Sequence, residues 1–395
     1  MYKKTLQTSV AAAALFAFAV PFAGPASAAG NTVVNGKSQV KIAVTGQLSR
    51  VFRITDDGNT TNFHHTSNSF SGNRVRFIGT AEAWDSLTIG TRIEFQFNNR
   101  TSSASGNFAA NGALDEDTAD GTGIDPRYQD ITFKGKWGKF YMGKGDSAAN
   151  NTAEADLSGT QIAANVTAGD IFGGSHFLID NLAAGVSQDP NLNGGLSGPR
   201  ASTIFRSFDA LSRTQRIRYD TPTFGGLKVS VGLNQGPIPD VAIRWAGSFA
   251  GTKADIRLGW MNRSSASATR GTQFNGSASV LHSSGLNLTV AGGIEDLKGT
   301  ANLGRDNPTE LYFKVGYKAK LWDAGTTNFF ADYADYDDTT ANGDDGTSWS
   351  IGITQILKDY ATELFVVFNI AEFDDSTTNS YDDLTNGWVG ARVMF

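Results

Sequence analysis

The sequence predicts an all-β fold, a transmembrane antiparallel β-barrel of about 16 strands, and three observations carry that prediction. Apolar and polar residues alternate with period two beyond residue 30. In GLKVSVGLN, Leu227, Val229, Val231 and Leu233 share one face while Lys228, Ser230, Gly232 and Asn234 share the other. GLNLTVAGGIE sets Leu286, Leu288, Val290 and Ile294 against Asn287, Thr289 and Glu295. TELYFKVGYKAKLW sets Leu311, Phe313, Val315, Tyr317 and Leu321 against Lys314, Lys318 and Lys320. The connections alternate between tight turns (WDS at 84–86, WGK at 137–139, HSSG at 282–285, WDAG at 322–325, KDYA at 358–361) and long polar loops. Aromatics gather near segment ends, at Trp84, Trp137, Trp260, Trp322, Trp349, Tyr360 and Trp388, as interfacial girdles require. A soluble β-sandwich explains the alternation but gives no reason for short and long connections to take turns.

Composition supports the same class. The chain has 395 residues, no cysteine, 45 glycines and 9 prolines, and a mean hydropathy of -0.25, too polar for a helical membrane bundle. Its first residues combine Lys3 and Lys4, an apolar run from Val10 to Val20 and the small-residue exit Ala26-Ser27-Ala28, which predicts a secretory signal peptide over 1–28. The apolar run is too short to span a bilayer as a helix. Without Lys3 and Lys4, 31 basic residues face 39 acidic ones, a net charge of -8. With no disulfide to draw on, stability must come from hydrogen bonding and burial.

Taken in order, strands are expected to begin near 38, 72, 86, 126, 138, 211, 225, 240, 251, 270, 284, 308, 324, 346, 360 and 384, so that one barrel occupies 29–395. Sixteen is an even count, as single-chain bacterial barrels require. The closing segment GWVGARVMF places Gly387, Val389, Ala391, Val393 and Phe395 on one face, and Trp388, Gly390, Arg392 and Met394 on the other. That strand must pair with the first, because an open edge in lipid leaves backbone groups unsatisfied.

Several stretches together resemble the general diffusion porins of Gram-negative bacteria. NRVRFIGTAEAWDSLTIGTRIEFQF (73–97) resembles their second hairpin, GKFYMGKGD (138–146) the strand that enters their constriction loop, and RIRYDTPTFGGLKVSVGL (216–233) their R-Y-D-S-P-x-F-x-G hairpin. The resemblance covers most of the chain and implies a homotrimer of 16-stranded barrels that conducts solutes without catalysis or cofactor. It also makes Phe395 the C-terminal signal read by the barrel assembly machinery. Where alternation fails, between about 146 and 210, it implies the third loop, folded into the lumen. On that loop GDIFGG resembles the acidic tip, with Asp170 one position from the usual place and Glu154, Asp156 and Asp180 as further acids. The opposing basic wall is implied to be Arg74, Arg76, Arg92, Lys144, Arg216 and Arg218, with Glu94 in the return strand and Gln47 where many porins carry lysine. Carboxylates facing guanidiniums across a wet slit set up a transverse field that favours dipolar solutes over greasy ones.

The remaining motifs are weighed against this frame. HTSN (65–68) has an H-x-S pair, but it falls in a stretch read as a polar loop, with no third partner. GKFYMGK (138–144) lacks the Ser/Thr of a P-loop. His176 and His282 stand alone. Acidic runs at 115–125, 335–345 and 372–383 fall in outer loops, where Asp337, Asp338, Asp344 and Asp345 suit Ca²⁺ or Mg²⁺ bridging to lipopolysaccharide phosphates, or simply a solvated surface. Outer-membrane lipid is the expected surrounding and no nucleic acid is expected as partner. A sugar-selective channel would need a lumen track of aromatics, of which parity gives few, Trp388 and Phe330. A secreted β-rich adhesin is the rival outside membranes. The acidic vestibule predicts weak cation preference, strengthening as salt is lowered.

Overall fold

The computed structural model describes residues 32–34, 40–58, 61–84, 86–97, 124–166, 177–179, 197–376 and 380–395; the expected leader and the acidic run at 115–123 lie outside them. The strands are β1 (Thr32–Val34), β2 (Lys41–Asp56), β3 (Thr61–Ser67), β4 (Arg74–Trp84), β5 (Leu87–Phe97), β6 (Ile124–Gly135), β7 (Gly138–Asp146), β8 (Phe177–Ile179) and β9 (Ser197–Arg200). After the one-turn helix α1 (Ala201–Ile204) come β10 (Arg213–Asp220), β11 (Leu227–Asn234), β12 (Ile238–Phe249), β13 (Thr252–Asn262), β14 (Arg270–His282) and β15 (Leu286–Leu297). The chain finishes with β16 (Thr309–Trp322), β17 (Gly325–Asp337), β18 (Asp345–Leu357), β19 (Thr362–Asp374) and β20 (Leu384–Met394).

Antiparallel pairing runs from β2 through β4, β5, β6 and β7. From β7 it passes to β10 and on in sequence order to β20. It returns from β20 to β2 with Gln47 opposite Met394 and Asp56 opposite Thr385. The described residues thus form a closed wall of sixteen positions, with β3 and β4 sharing the second, since β2 pairs with β3 over its upper half and with β4 over its lower half. Closure abolishes the edge that lipid would not tolerate. Phe395 extends the seam by exchanging backbone hydrogen bonds with Gly46 at 2.7 and 2.9 Å. Its ring lies where any side chain on Gly46 would have to go. Beyond it β1 pairs with residues 41–43 of β2, in line with the last strand. No helix among the described residues is long and apolar enough to cross a membrane.

The faces follow the alternation. On β16, Leu311, Phe313, Val315 and Tyr317 are exposed outward, and Glu310, Tyr312 and Lys314 are buried inward. Val389, Val393 and Phe395 point out, as expected, while Trp388 points in and is buried, so it belongs to no girdle. Trp137 and Trp322 at the turn end are exposed. Most expected strand starts lie within about three residues of those observed. One further strand lies outside that expectation. Residues 61–67 form β3 by pairing with β2, and because its inner side carries His64 and Thr66 the strand shows no apolar alternation. His65, Thr66 and Ser67 of HTSN are therefore wall, with Ser67 Oγ accepting from Arg50 (2.9 Å) and Asn73 (2.8 Å). Two connections also depart from the expected asymmetry: 235–237 at the loop end is short, and 221–226 at the turn end is longer.

Inside the barrel sits an apolar core. Ala153, Ile162, Ala163, Ala164 and Val166, with Ala201, Ile204 and Phe205, pack on the inner faces of β15–β20 and β2 through Tyr312, Phe330, Tyr336, Phe365, Phe373, Trp388 and Val51. Inner-face aromatics are thus more numerous than parity suggested. All of these are buried, so they present no stacking track to a solute.

Candidate functional site in the lumen

Between β7 and β10 the described residues 147–166 and 201–210 run along the inner wall. From Asp146 the first arm follows that wall, and successive strands hold its backbone. Arg218 on β10 donates to the carbonyl of Ser147 (2.9 Å). Arg244 on β12 donates to those of Ala148 (2.8 Å) and Asn150 (2.7 Å), and Arg257 on β13 to that of Asn151 (3.0 Å). On β14, Ser277 donates to the carbonyl of Thr152 (2.7 Å), and Ser277 and Ser279 accept from the N–H groups of Ala155 and Leu157. Lys314 on β16 reaches Asp156 (2.9 Å), Thr160 (3.2 Å) and the Ala164 carbonyl (2.7 Å), and Asn328 on β17 the Gly159 carbonyl (3.3 Å). Backbone polar groups away from water must find partners, and here the wall supplies them one strand at a time. The second arm is held likewise: Gln273 and Asn275 donate to the Phe208 carbonyl, and Glu310 accepts from the Phe208 N–H (2.8 Å). Asp209 ties the arms together by accepting from the N–H groups of Asn151 (2.7 Å) and Ala153 (3.1 Å).

On the wall of β4 to β7 and β10 guanidiniums outnumber carboxylates. Glu94, fully buried, takes Arg76 in a short ion pair, Arg127 at 2.7 Å and Arg74 at 3.8 Å. Asp130 takes Arg216 at 2.7 Å and Arg92 at 3.0 Å, and Arg92 also stacks on the Tyr128 ring at 3.5 Å. Arg218 pairs with Asp220 through two hydrogen bonds of 2.7 and 3.0 Å. The side chains of Arg76 and Arg92 keep 32% and 28% of their surface, whereas Glu94 and Asp130 keep none, so the charge offered to water is positive.

The expected site residues divide on this geometry. Arg74, Arg76, Arg92, Arg216 and Arg218 come together on one inner wall with Glu94 buried among them. Lys144 stands elsewhere: register places it between Gln129 and Gln215 in the row of Met142, which is exposed outward. Gln47 is not a bare lumen position, for its amide donates to Ser71 Oγ (2.7 Å) and to the carbonyls of Ser71 and Gly72 (3.1 and 2.9 Å). Among the loop acids, Asp156 is spent on Lys314; burial works to raise its pKa, but Lys314 and the Ser158 N–H outweigh that and hold it below the usual carboxylate range. Glu154 makes no ion pair among the described residues, and burial, reinforced by the Asp209 carboxylate, pushes its pKa up; burial raises Asp209 too. Asp170 and Asp180 lie outside the described residues, as does His176. Asp344 accepts from Thr340 and the Ala341 N–H (2.7 Å) and Asp338 from the Gly343 N–H (2.7 Å), closing a turn. Asp337 and Asp345 face each other across strands. Among the described residues no group of three or more His, Cys, Asp or Glu is placed to hold a metal ion. The sequence reading missed Arg127, Arg244 and Arg257. Arg244 and Arg257 alternate with outward apolar residues, Ile243 and Ile256 for example, so parity offered them; Arg127 lies beside the inward Tyr128, where the ladder between β5 and β6 slips, so parity did not.

Comparison with known proteins agrees with this architecture. A family model described as Gram-negative porin matches residues 10–379. Among solved structures, the anion-selective porin from Comamonas acidovorans is 13% identical with a TM-score of 0.58, over 90% of this chain and 100% of that one. The loop L8 deletion mutant of OmpT from Vibrio cholerae is 13% identical with a TM-score of 0.57, over 91% and 100%. OmpF of Salmonella typhi, in complex with daunomycin, is 11% identical with a TM-score of 0.51 and covers 92% of this chain and 100% of its own. These likenesses establish the fold. No curated sequence aligns significantly with the chain.

Proposed function

The chain belongs to the Gram-negative porin family and forms an outer-membrane channel for diffusion; from that premise we propose a general porin, a homotrimer exported by its leader at 1–28, passing ions and small hydrophilic solutes. The observation that supports this reading is the docked arm 147–166, which narrows the lumen with backbone and small side chains and leaves an arginine-rich wall, Arg74, Arg76, Arg92, Arg216 and Arg218, beside the passage. A gap bounded this way sets a size limit and a charge bias. OmpT of Vibrio cholerae is described in a trimer form, which supports the oligomer.

Ion preference arises from two opposed charge sets. The net charge of -8 on the expected mature chain and the acidic outer loops favour cations at the mouth. The guanidinium surplus at the constriction favours anions. Screening separates them, since the Debye length is about 8 Å at physiological salt and about 30 Å at 0.01 M. The channel is weakly cation-preferring in dilute salt, and the preference declines as salt rises and only the slit charges still act. Reconstitution in planar bilayers tests this, with reversal potentials at two mean ionic strengths and liposome swelling in sugars of increasing size. Swelling that falls steadily with solute size is expected. Uptake of one sugar well above its size neighbours, or anion preference persisting in dilute salt, would overturn the reading.

A further inference from the structure

Residues 68–73, between β3 and β4, leave the wall and enter the lumen, and we propose that this corner is a latch that fixes the far end of the constriction loop and so sets the aperture; the inference rests on the porin reading above. The excursion is built from hydrogen bonds. At its start Asn68 accepts at Oδ1 from the Phe70 N–H (2.9 Å) and gives its own N–H to the Ser49 carbonyl (3.2 Å). At its end Asn73 Oδ1 accepts from the Ser49 N–H (2.8 Å). Ser71 at the apex accepts from Gln47 and from Arg392, both at 2.7 Å. β2 and β20 therefore prop the corner from beneath, and it needs no loop to hold its shape.

Once propped, the corner points one donor at the loop. Asn68 Nδ2 reaches the Ile162 carbonyl at 2.9 Å, with Asn68 and Ile162 both buried, and Phe70 packs on the apolar core that contains Ile162, Ala163 and Ala164. Two residues on, the Ala164 carbonyl is taken by Lys314 from β16. Between these carbonyls the chain turns tightly, Ala163 and Ala164 both bonding back to Thr160. The turn at 160–164 is thus gripped from two well-separated parts of the wall, the β3 corner and β16. The apolar core fills the sector between them, and the passage is left on the arginine side. Without the corner the loop would be anchored from one flank only, with its far end free to swing.

The test uses Asn68→Ala, Asn68→Asp and Phe70→Ala in the full chain, refolded and checked for heat-modifiable migration. Asn68→Asp keeps the acceptor for the Phe70 N–H and loses the donor to Ile162, so it separates the latch from the corner's own geometry. A buried carbonyl left without its donor weakens the docked state enough for about tenfold more frequent closures at a given voltage. The expected result is that Asn68→Ala and Asn68→Asp both raise closure frequency and that Phe70→Ala also shifts the swelling limit to larger sugars. Wild-type closure statistics and size limit in all three folded variants would overturn the latch, as would a defect in Asn68→Ala that Asn68→Asp fully restores. If the unmodified chain formed no channel, the porin reading would fall instead.

Discussion

Lys314→Met is the sharpest probe of how the loop is held. The Lys314 side chain is fully buried and gives hydrogen bonds to Asp156 (2.9 Å), Thr160 (3.2 Å) and the Ala164 carbonyl (2.7 Å). Methionine fills much the same volume but donates nothing. Removing one partner of a buried ion pair costs about 3–5 kcal/mol, because the other charge is left uncompensated, and Asp156 is 5% exposed. The barrel keeps its sixteen-position hydrogen-bonded wall, so the loss falls on docking of the arm. At about 1.4 kcal/mol per decade the undocked population rises roughly a hundredfold or more. Limited proteolysis of the refolded variant reports it as accelerated cleavage within 147–166 against an uncut barrel, and bilayer recording reports it as frequent closures. Lys314→Met with Asp156→Leu removes both charges and should recover much of the loss, because replacing both partners of a buried pair is far milder than orphaning one. Wild-type protease resistance in Lys314→Met would refute the reasoning, as would a double variant worse than the single.

Arg74→Ala with Arg218→Ala removes wall charge beside Glu94 and at the loop root, where Arg218 also holds the Ser147 carbonyl; reversal potentials should shift toward cations and conductance should rise, and unchanged values would count against their placement at the slit. Deleting Phe395 should lower outer-membrane assembly in cells yet allow refolding in detergent, since the seam still pairs from Gln47–Met394 upward; equal loss in both settings would assign the residue to stability alone. Glu154 has its pKa raised by burial and by Asp209, so the docked loop binds protons more tightly than the undocked one. The sign follows: the Glu154 contribution to docking is full below the ordinary carboxylate pKa of about 4.3 and is lost as pH rises through the elevated value, so cleavage of the arm should speed up from mildly acid toward mildly alkaline pH, and Glu154→Gln should flatten that profile.

How much of this was legible in the sequence depends on what alternation encodes. Period two reports which way a side chain points relative to a wall that lipid makes apolar, so the sixteen positions, the seam at Phe395 and the inward arginines were readable wherever outward neighbours were greasy, as at Ile217 between Arg216 and Arg218. It fails where both faces carry unusual residues, as in β3, which has His64 and Thr66 inside and His65 outside; the resemblance places Lys144 in the lumen, whereas the register follows its parity with the outward Met142. It is silent on what covers an inward residue. Phe330, Tyr336, Phe365 and Phe373 face inward, but whether an inward ring meets water or another side chain depends on the loop folded over it. That loop is specified by donors scattered over six strands, each matched to one or two backbone carbonyls of the arm, a pattern with no sequence period at all. The wall is therefore a local property of the sequence and the aperture a non-local one, which is why charge counting along strands found arginines but could not tell those facing water, such as Arg76, from those spent on the loop, such as Arg218.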